Sequence, residues 1–144
     1  MPDIHTAPTP ELDAVTLHGI LRLRQDVFVV EQECVYADVD GRDLEPETVQ
    51  AWAVDDSGQV VATLRVLTEP DGTRRIGRVA TARPARGRGL AAELMVVALD
   101  LGRESVVLDA QSHLEGWYSR FGFVRAGEDF VEDGIPHVPM RLDR

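Results

Sequence analysis

The stretch "RPARGRGLAAELM", from Arg83 to Met95, places three arginines and two glycines before an apolar helical pattern. We expect the helix to begin near Gly89, and the first turn of a helix has unpaired backbone N–H groups at the positive end of the helix dipole. Glycine keeps side chains away from that backbone, so a phosphate can approach it. The stretch therefore predicts an anion site, with a pyrophosphate as the expected ligand.

Two other interpretations of these residues stay open. The run "GRGLAA", from Gly87 to Ala92, matches the G-x-G-x-x-A form of the dinucleotide-binding fingerprint, and Asp109 follows at a suitable distance. That fingerprint requires its first glycine directly after a strand of a parallel βαβ unit, whereas a proline-containing connection and an antiparallel meander precede it here. The other interpretation is an exposed Arg-Gly turn that only caps a core helix.

Other polar residues are candidates for proton transfer or substrate binding. Glu31 lies at the end of the run "VFVVEQ", where a carboxylate can line a cleft, although a solvated helix end explains it equally well. His113 and His137 carry a side chain that titrates near neutral pH, but a lone histidine is more often structural. Asp109 can orient a substrate amine or pair with an arginine.

Three further features carry weaker signals. Arg78 lies in a predicted strand, where it suits an ion pair on the face of a sheet. The run "DVDGRD" (Asp38 to Asp43) resembles a calcium loop, but its glycine is misplaced and the twelfth position has no glutamate, so it is interpreted as an Asx-rich turn that can contribute to an acceptor site. Cys34 lacks the pattern of a nucleophile and is expected to be a free thiol.

The periodicity of the first half of the chain predicts a strand, a helix, a loop and three strands. The strand lies at 3–7, and the helix follows the N-cap Asp13 and keeps one face apolar as far as Phe28. A long loop from Val29 to Thr48 comes next. Three antiparallel strands, joined by hairpin turns, are expected at 49–56, 59–68 and 74–81.

The second half predicts the remaining elements of the same sheet. We expect a helix at 89–101, a strand at 105–111 that is buried on both faces, a helix at 112–121, and strands at 123–133 and 137–142. This order predicts an α+β fold in which helices flank a mixed central sheet, as a single domain over residues 1–144.

Composition excludes several classes of function. The chain has 144 residues with a formal net charge of -10, and its 15 basic residues are all arginine. This balance argues against nucleic acid, whose affinity comes largely from neutralised phosphates. No apolar run approaches the roughly 20 residues of a membrane span, and the N-terminus lacks a secretory pattern. Cys34 is the single cysteine, so a reducing cytoplasm is the expected location.

Several motifs, taken in order, resemble one known family. Arg86 to Ala91 resembles the Q/R-x-x-G-x-G/A signature of the GNAT superfamily of N-acetyltransferases, and "YSRFGF" (Tyr118 to Phe123) resembles its Y-x-x-x-G-F. Gln50 departs from the pattern, because a histidine is expected just before the second strand of the meander. Four runs are similar to the ElaA-like branch: "RLRQDVFVVEQECVYADVDGRD", "IGRV", "LDAQSHLEGWYSRFGF" and "EDGIPHVPM".

The resemblance implies acetyl-coenzyme A (acetyl-CoA) as donor and no metal. It implies that the main chain of β-strand residues pairs with the pantetheine arm, while backbone amides and arginines at the helix start hold the pyrophosphate. The residues implied for the donor are Val79, Ala80, Thr81, Arg86, Gly87, Arg88, Gly89, Leu90, Ala91 and Ala92.

For the chemistry, the resemblance implies transfer to a primary amine of a small molecule or peptide, without a covalent enzyme intermediate. Tyr118 would protonate the departing thiolate, although a core tyrosine beside Trp117 is the alternative. Glu31 would lie over the acetyl group and hold or deprotonate the amine. We expect a monomer or homodimer without nucleic-acid or membrane partners. A non-catalytic acyl-CoA-binding sensor or interaction module is the alternative function.

Overall fold

A mixed sheet of eight strands forms the centre of the computed structural model, which describes residues 2–144. The strands run in the order β1-β2-β3-β4-β5-β8-β6, with β7 paired to β8, and within the described residues the β4–β5 pair is the parallel one. The α+β fold class and its mixed sheet are thus confirmed. The strands are β1 (Asp3–Pro8), β2 (Val49–Val54), β3 (Val60–Thr68), β4 (Arg74–Thr81), β5 (Val106–Gln111), β6 (Val124–Arg125), β7 (Phe130–Glu132) and β8 (Ile135–Leu142).

Helices cover both faces of this sheet. Asp13 caps the first helix by accepting a hydrogen bond from the Thr16 N–H at 2.7 Å, as its sequence position predicted. In residues 2–144, no helix combines the length and the apolar character needed to cross a bilayer. The helices are α1 (Ala14–Arg24), continued by a π-helical segment (Gln25–Glu31), then α2 (Leu90–Leu99) and α3 (Glu115–Ser119), with 3-10 turns at Thr9–Glu11, Arg42–Leu44, Arg83–Ala85 and Ser112–Leu114.

Alternation along β3 divides the interior into two sides. Leu64 and Val66 point to the side of α2, where they join a core that also contains Leu94 and Met95. Arg65 points to the opposite side, where α1 and the π-helical segment lie. The larger apolar core therefore fixes the sheet, while the face below α1 is left for polar groups.

A buried ion cluster occupies that second face. Arg24 of α1 donates to Asp38 at 2.9 Å and to Asp43 at 2.7 Å, and its side chain is only 1% exposed. Arg65 pairs with Asp43 at 3.2 Å. The cluster holds equal numbers of guanidinium and carboxylate groups, which is the condition under which charges tolerate burial. Its members are Arg24, Arg65, Arg78, Asp38, Asp40 and Asp43.

The ion cluster fixes the long segment between the π-helical segment and β2. Burial alone would raise the pKa of Asp43, but hydrogen bonds and charge from Arg24, with Gln50 and Arg65, outweigh it and lower that pKa. Gln50 donates to Asp43 at 2.9 Å from the position where the resemblance leads one to expect a histidine. The Asx-rich turn is also present, because Asp40 accepts from the Arg42 N–H at 3.0 Å.

Four sequence-based expectations are wrong in detail. β5 is buried on one face only, because Val106, Leu108 and Ala110 enter the core whereas Asp109 points to a cleft. The strand expected at 123–133 is two short strands, β6 and β7, separated by residues 126–129, and the helix expected at 112–121 is a 3-10 turn followed by the five residues of α3. Residues 29–31 continue the helical path in the π-helical segment instead of starting a loop.

Candidate active site

A cleft of about 1400 Å³ opens where β4 and β5 separate. In the described part of the chain, these strands pair only at Arg74 with Val106 and at Arg75 with Val107. Beyond those pairs, the edge of β4 that faces β5 has no ladder partner on that side. Both diverging strands line the cleft, together with the β4–α2 connection, the π-helical segment and α3. Most of the residues selected from sequence therefore meet around one cavity.

A bulge in β4 explains the separation. Arg78 and Val79 together oppose Leu64 of β3 at a shift in the register. Arg78 has a φ of 52°, in the left-handed region that non-glycine residues adopt rarely. An extra residue bends a strand and increases its twist, so β4 turns away from β5. The ion pair between Arg78 Nε and Asp38, at 2.9 Å, anchors this residue to the ion cluster, as an arginine on a sheet face suggested.

The β4–α2 connection presents open backbone to the cleft. Gly87 and Gly89 have φ values of 81° and 75°, and a Cβ atom added to either would meet nothing within 4 Å. Gly89 is the N-cap of α2 and provides no side-chain cap, so within residues 2–144 the first-turn N–H groups face free space. Of the donor residues implied by the resemblance, Arg88 is the one outside the cleft lining, which includes Val79, Ala80, Thr81, Arg86, Gly87, Gly89, Leu90, Ala91 and Ala92.

Glu31 lies at the end of the cleft nearest this connection. Arg86 donates to both of its carboxylate oxygens, at 2.8 and 2.7 Å, and Arg83 lies 3.6 Å away. Arg86 also donates to the Thr81 carbonyl at 3.0 Å, which fixes its guanidinium beside the end of β4. The hydrogen bonds from Arg86 lower the pKa of Glu31. Its carboxylate is therefore a stable negative charge, and its role in catalysis stays a prediction.

Tyr118 lies on the wall formed by α3. Its ring packs edge-on against Trp117 at 4.8 Å and against Phe123 at 6.4 Å, and it is 7% exposed. Burial is the cause that raises the pKa of Tyr118 to about 12. The residue thus combines the packing of a core tyrosine with a place in the lining of the cleft, and its phenol stays protonated at neutral pH.

The outward face of β5 forms the opposite wall. Asp109 accepts a hydrogen bond from Arg75 at 3.1 Å, and Arg75 also pairs with Glu69 at 3.3 Å. Gln111 donates to Gln32, which follows the π-helical segment, at 3.3 Å. An arginine partner was one of the two alternatives expected for Asp109, and Arg75 fills that role, but no sequence pattern pointed to Arg75, Glu69 or Gln111. Alternation along β5 is the signal that identifies Gln111, because it shares the face of Asp109.

The two candidate histidines differ in their surroundings. His113 is exposed in the 3-10 turn after β5. His137 is half-buried in β8, beside Gln111 of β5, and its ring stacks on Phe130 with centroids 5.5 Å apart. Both line the cleft. Cys34 is buried and its thiol donates to the Asp133 carbonyl at 3.4 Å, which ties the segment after the π-helix to the β7–β8 turn.

Comparison with known proteins shows which protein family has this sequence and fold. A family model described as an acetyltransferase (GNAT) domain matches residues 19–144. A UPF0039 protein of Mycobacterium bovis is 47% identical over 134 residues, which cover 90% of this chain and 86% of that protein. The chain therefore belongs to the GNAT superfamily, and this membership supports acyl transfer as the general activity of the cleft.

Two further similarities define the branch within that superfamily. Protein ElaA of Escherichia coli is 37% identical over 147 residues, which cover 96% of this chain and 92% of ElaA, and its crystal structure superposes with a TM-score of 0.92. The crystal structure of an acyl-CoA N-acyltransferase from Pseudomonas aeruginosa has a TM-score of 0.93 at 41% identity, covering 99% of both chains. The expected ElaA-like assignment is thus confirmed.

Proposed function

We propose that this chain transfers the acetyl group of acetyl-CoA to a primary amine of a small molecule or peptide. The observation that carries the proposal is the shape of the cleft. An unpaired strand edge on β4 leads to an uncapped helix start at Gly89, and the buried Tyr118 lines the same cavity. A donor with an amide-containing arm and a pyrophosphate complements both polar features.

The donor would lie along β4. Residues Val79 to Thr81 have a free edge on which the amides of a pantetheine arm can pair as an additional strand does. The backbone from Gly87 to Ala92 would hold the pyrophosphate, since Gly87 and Gly89 leave room for it. Arg86 would add a charged hydrogen bond, and Arg88 would contribute long-range attraction from the surface. When bound, this substrate supplies an acetyl thioester.

The chemistry is direct attack of the neutral amine nitrogen on the thioester carbonyl carbon. The C–N bond forms, the nitrogen loses a proton, the C–S bond breaks, and the sulfur leaves as a thiolate. Tyr118 would donate its phenolic proton to that thiolate, because burial keeps the phenol protonated at neutral pH. This route uses no covalent enzyme intermediate.

For Glu31, the ion pair with Arg86 favours a role as fixed charge. A carboxylate with a lowered pKa is a weak proton acceptor. It lies at the donor end of the cleft, where it holds Arg86 beside the Thr81 carbonyl. We therefore propose that Glu31 positions Arg86 and balances its charge, in place of deprotonating the amine.

The experiment that tests the proposal is thiol release from acetyl-CoA across a panel of primary amines, with the acetylated amine identified by mass. Amine-dependent release with one acetyl group gained per thiol is the expected result. Tight donor binding by calorimetry without release would indicate the non-catalytic sensor. Failure to bind acetyl-CoA would overturn the assignment of the donor site.

A further inference from the structure

The acetyl transfer proposed above needs a group that accepts the proton of the attacking amine. Two carboxylates of the cleft are already engaged, Glu31 with Arg86 and Asp109 with Arg75. The hydrogen bonds from Arg86 lower the pKa of Glu31 and weaken it as a base. The acceptor wall also offers a neutral nitrogen base, because histidine provides one near neutral pH.

The hydrogen bond of His137 fixes which of its nitrogens is free. Its Nδ1 atom lies 2.7 Å from the carbonyl oxygen of Ile135, two residues earlier in β8. A carbonyl oxygen only accepts hydrogen bonds, so Nδ1 must carry a proton. In the neutral ring, the lone pair then lies on Nε2, and the stack on Phe130, with 19° between the ring planes, restrains the orientation of the ring.

The position of the ring matches an acceptor-side role. His137 is paired across the sheet with Gln111, on the same face as Asp109, and this face lines the cleft beside the diverging part of β4. We propose that Nε2 of His137 is the general base, and that this residue is a catalytic residue of the acetyl transfer proposed above. The amine nitrogen bonds to the thioester carbon and its proton moves to Nε2, while the C–S bond breaks and Tyr118 gives its proton to the sulfur. Solvent then takes the proton from His137 and returns one to Tyr118.

Charged groups of several elements surround the His137 ring. Arg75, the cation on β4, is already paired with Asp109 and Glu69. The titratable groups on the elements around the ring are Asp109 on β5, Glu132 and Asp133 on β7 and its turn, His113 in the 3-10 turn, Arg75 on β4, Arg141 on β8, and Glu33 with Cys34 after the π-helical segment.

The test compares His137→Asn with His18→Asn. The amide nitrogen of asparagine can replace Nδ1 at the Ile135 carbonyl, so the first variant keeps the structural bond and lacks a basic nitrogen. We expect its kcat with the best amine of the panel to fall roughly 10²–10⁴-fold, the range for a lost general base, with the Kd of acetyl-CoA unchanged. His18→Asn removes a histidine that is exposed on α1 and lies outside the cleft, so it should keep nearly wild-type turnover.

The pH profile separates a base from a structural residue. In the wild-type protein at saturating amine, kcat should fall as the pH is lowered below neutral, because a histidine that has gained a proton has no lone pair left to act as a base. His137→Asn should lose this dependence. If that variant does not fold, His137→Gln and the wild-type dependence of kcat on pH provide the same test.

The outcomes distinguish an incorrect general base from an incorrect function. Wild-type turnover and pH dependence in a folded His137 variant would overturn the assignment of His137 as the general base. A wild-type kcat that stays constant between pH 5 and 8 would overturn it as well. A wild-type protein that releases no thiol with any amine would overturn the proposed function, and the base with it.

Discussion

Three arginines belong to the ion cluster and three lie in the β4–α2 connection, but their surroundings are opposite. In the cluster, Arg24 and Arg65 are buried and paired at short distances with carboxylates of the 32–48 segment. In the connection, Glu31 is the one carboxylate in the described part of the chain that pairs with Arg83 and Arg86, and Arg88 is exposed. The first set has no charge left for a ligand, whereas the second has an excess.

This difference explains how a protein with a net charge of -10 can carry a positive site. Arginines matched by carboxylates serve the scaffold, because a guanidinium tolerates burial when a carboxylate balances its charge. Unmatched arginines on a glycine-rich connection beside an uncapped helix attract an anion. The number of arginines alone therefore does not identify the site; their unpaired charge does.

Loss of donor binding is the largest effect we expect, from Gly89→Glu. The variant places a carboxylate at the helix start, where it repels the pyrophosphate and fills the open space above the backbone. Calorimetry should detect no binding of acetyl-CoA. Gly58→Glu is the control, because Gly58 also has a positive φ, of 86°, with open space around its Cβ position, but lies outside the cleft. Equal affinity in both variants would place the donor elsewhere.

Tyr118→Phe should have the next largest effect. It removes one hydroxyl from a ring that is otherwise held by Trp117 and Phe123. Loss of a general acid is expected to lower kcat roughly 10²–10⁴-fold. The melting temperature should change little, since phenylalanine keeps the ring and its packing against Trp117 and Phe123. Phe121→Leu, a change in the same aromatic group, is the matched control for packing. A lower melting temperature with normal turnover would make Tyr118 a core residue.

Asp43→Ala tests the other side of the comparison. It leaves Arg24 and Arg65 without a shared carboxylate, and breaking a buried ion pair costs about 3–5 kcal/mol of unfolding free energy. Asp26→Ala removes an exposed partner of Arg22 at 3.9 Å and should cost about 0–1 kcal/mol. Urea denaturation measures both. Comparable costs would show that the ion cluster is not the anchor of the 32–48 segment.

The effect of Asp43→Ala on the unfolding free energy should depend on pH. The pKa of Asp43 is lower in the folded protein than in the unfolded chain. The stability that the Asp43 carboxylate contributes is therefore complete above the ordinary carboxyl pKa of about 4, and it is lost as the pH falls through the pKa of Asp43 in the folded protein. The difference in unfolding free energy between wild type and Asp43→Ala should therefore shrink when the pH is lowered below about 4. A constant difference down to pH 2 would contradict the pairing.

The smallest effect is expected from Glu31→Gln. Removing this charge frees Arg86 for a phosphate, so the affinity for acetyl-CoA should rise by a factor of about two to five at low salt and the gain should fade as salt is added. Asp129→Asn, which removes a partner of the distant Arg125, is the control. A tenfold or larger fall in kcat/KM for the amine, with donor affinity unchanged, would instead support a role for Glu31 at the acceptor.

Local signals in the sequence were sufficient for most of the fold. The N-cap at Asp13 and the glycine-rich start of α2 rest on contacts within a few residues, so both could be predicted. Periodicity also predicted the helix that carries Arg24, but the partners of Arg24 lie 14 and 19 residues away along an irregular segment. Periodicity does not determine the path of such a segment.

The same limit applies to the site. The helix start and Tyr118 lie within sequence motifs and could be predicted. The pairing of Glu31 with Arg86 could not, because it joins residues that are 55 positions apart. The bulge at Arg78 depends on its tertiary contact with Asp38, which no local pattern in β4 encodes. The free nitrogen of His137 likewise follows from the backbone geometry of β8.

Because β4 and β5 pair only at their first residues, the sheet consists of two half-sheets, β1–β4 and β5–β8, which are joined by those two pairs. A donor that pairs with the free edge of β4 would bridge this gap. In the free protein, we expect the edge amides of β4 from Ile76 to Thr81 that face the gap to exchange with solvent, and the amides paired between β2 and β3 to be protected. Acetyl-CoA bound as proposed would slow deuterium uptake along the gap and restrain the two half-sheets, so the substrate would act as a temporary strand of the fold.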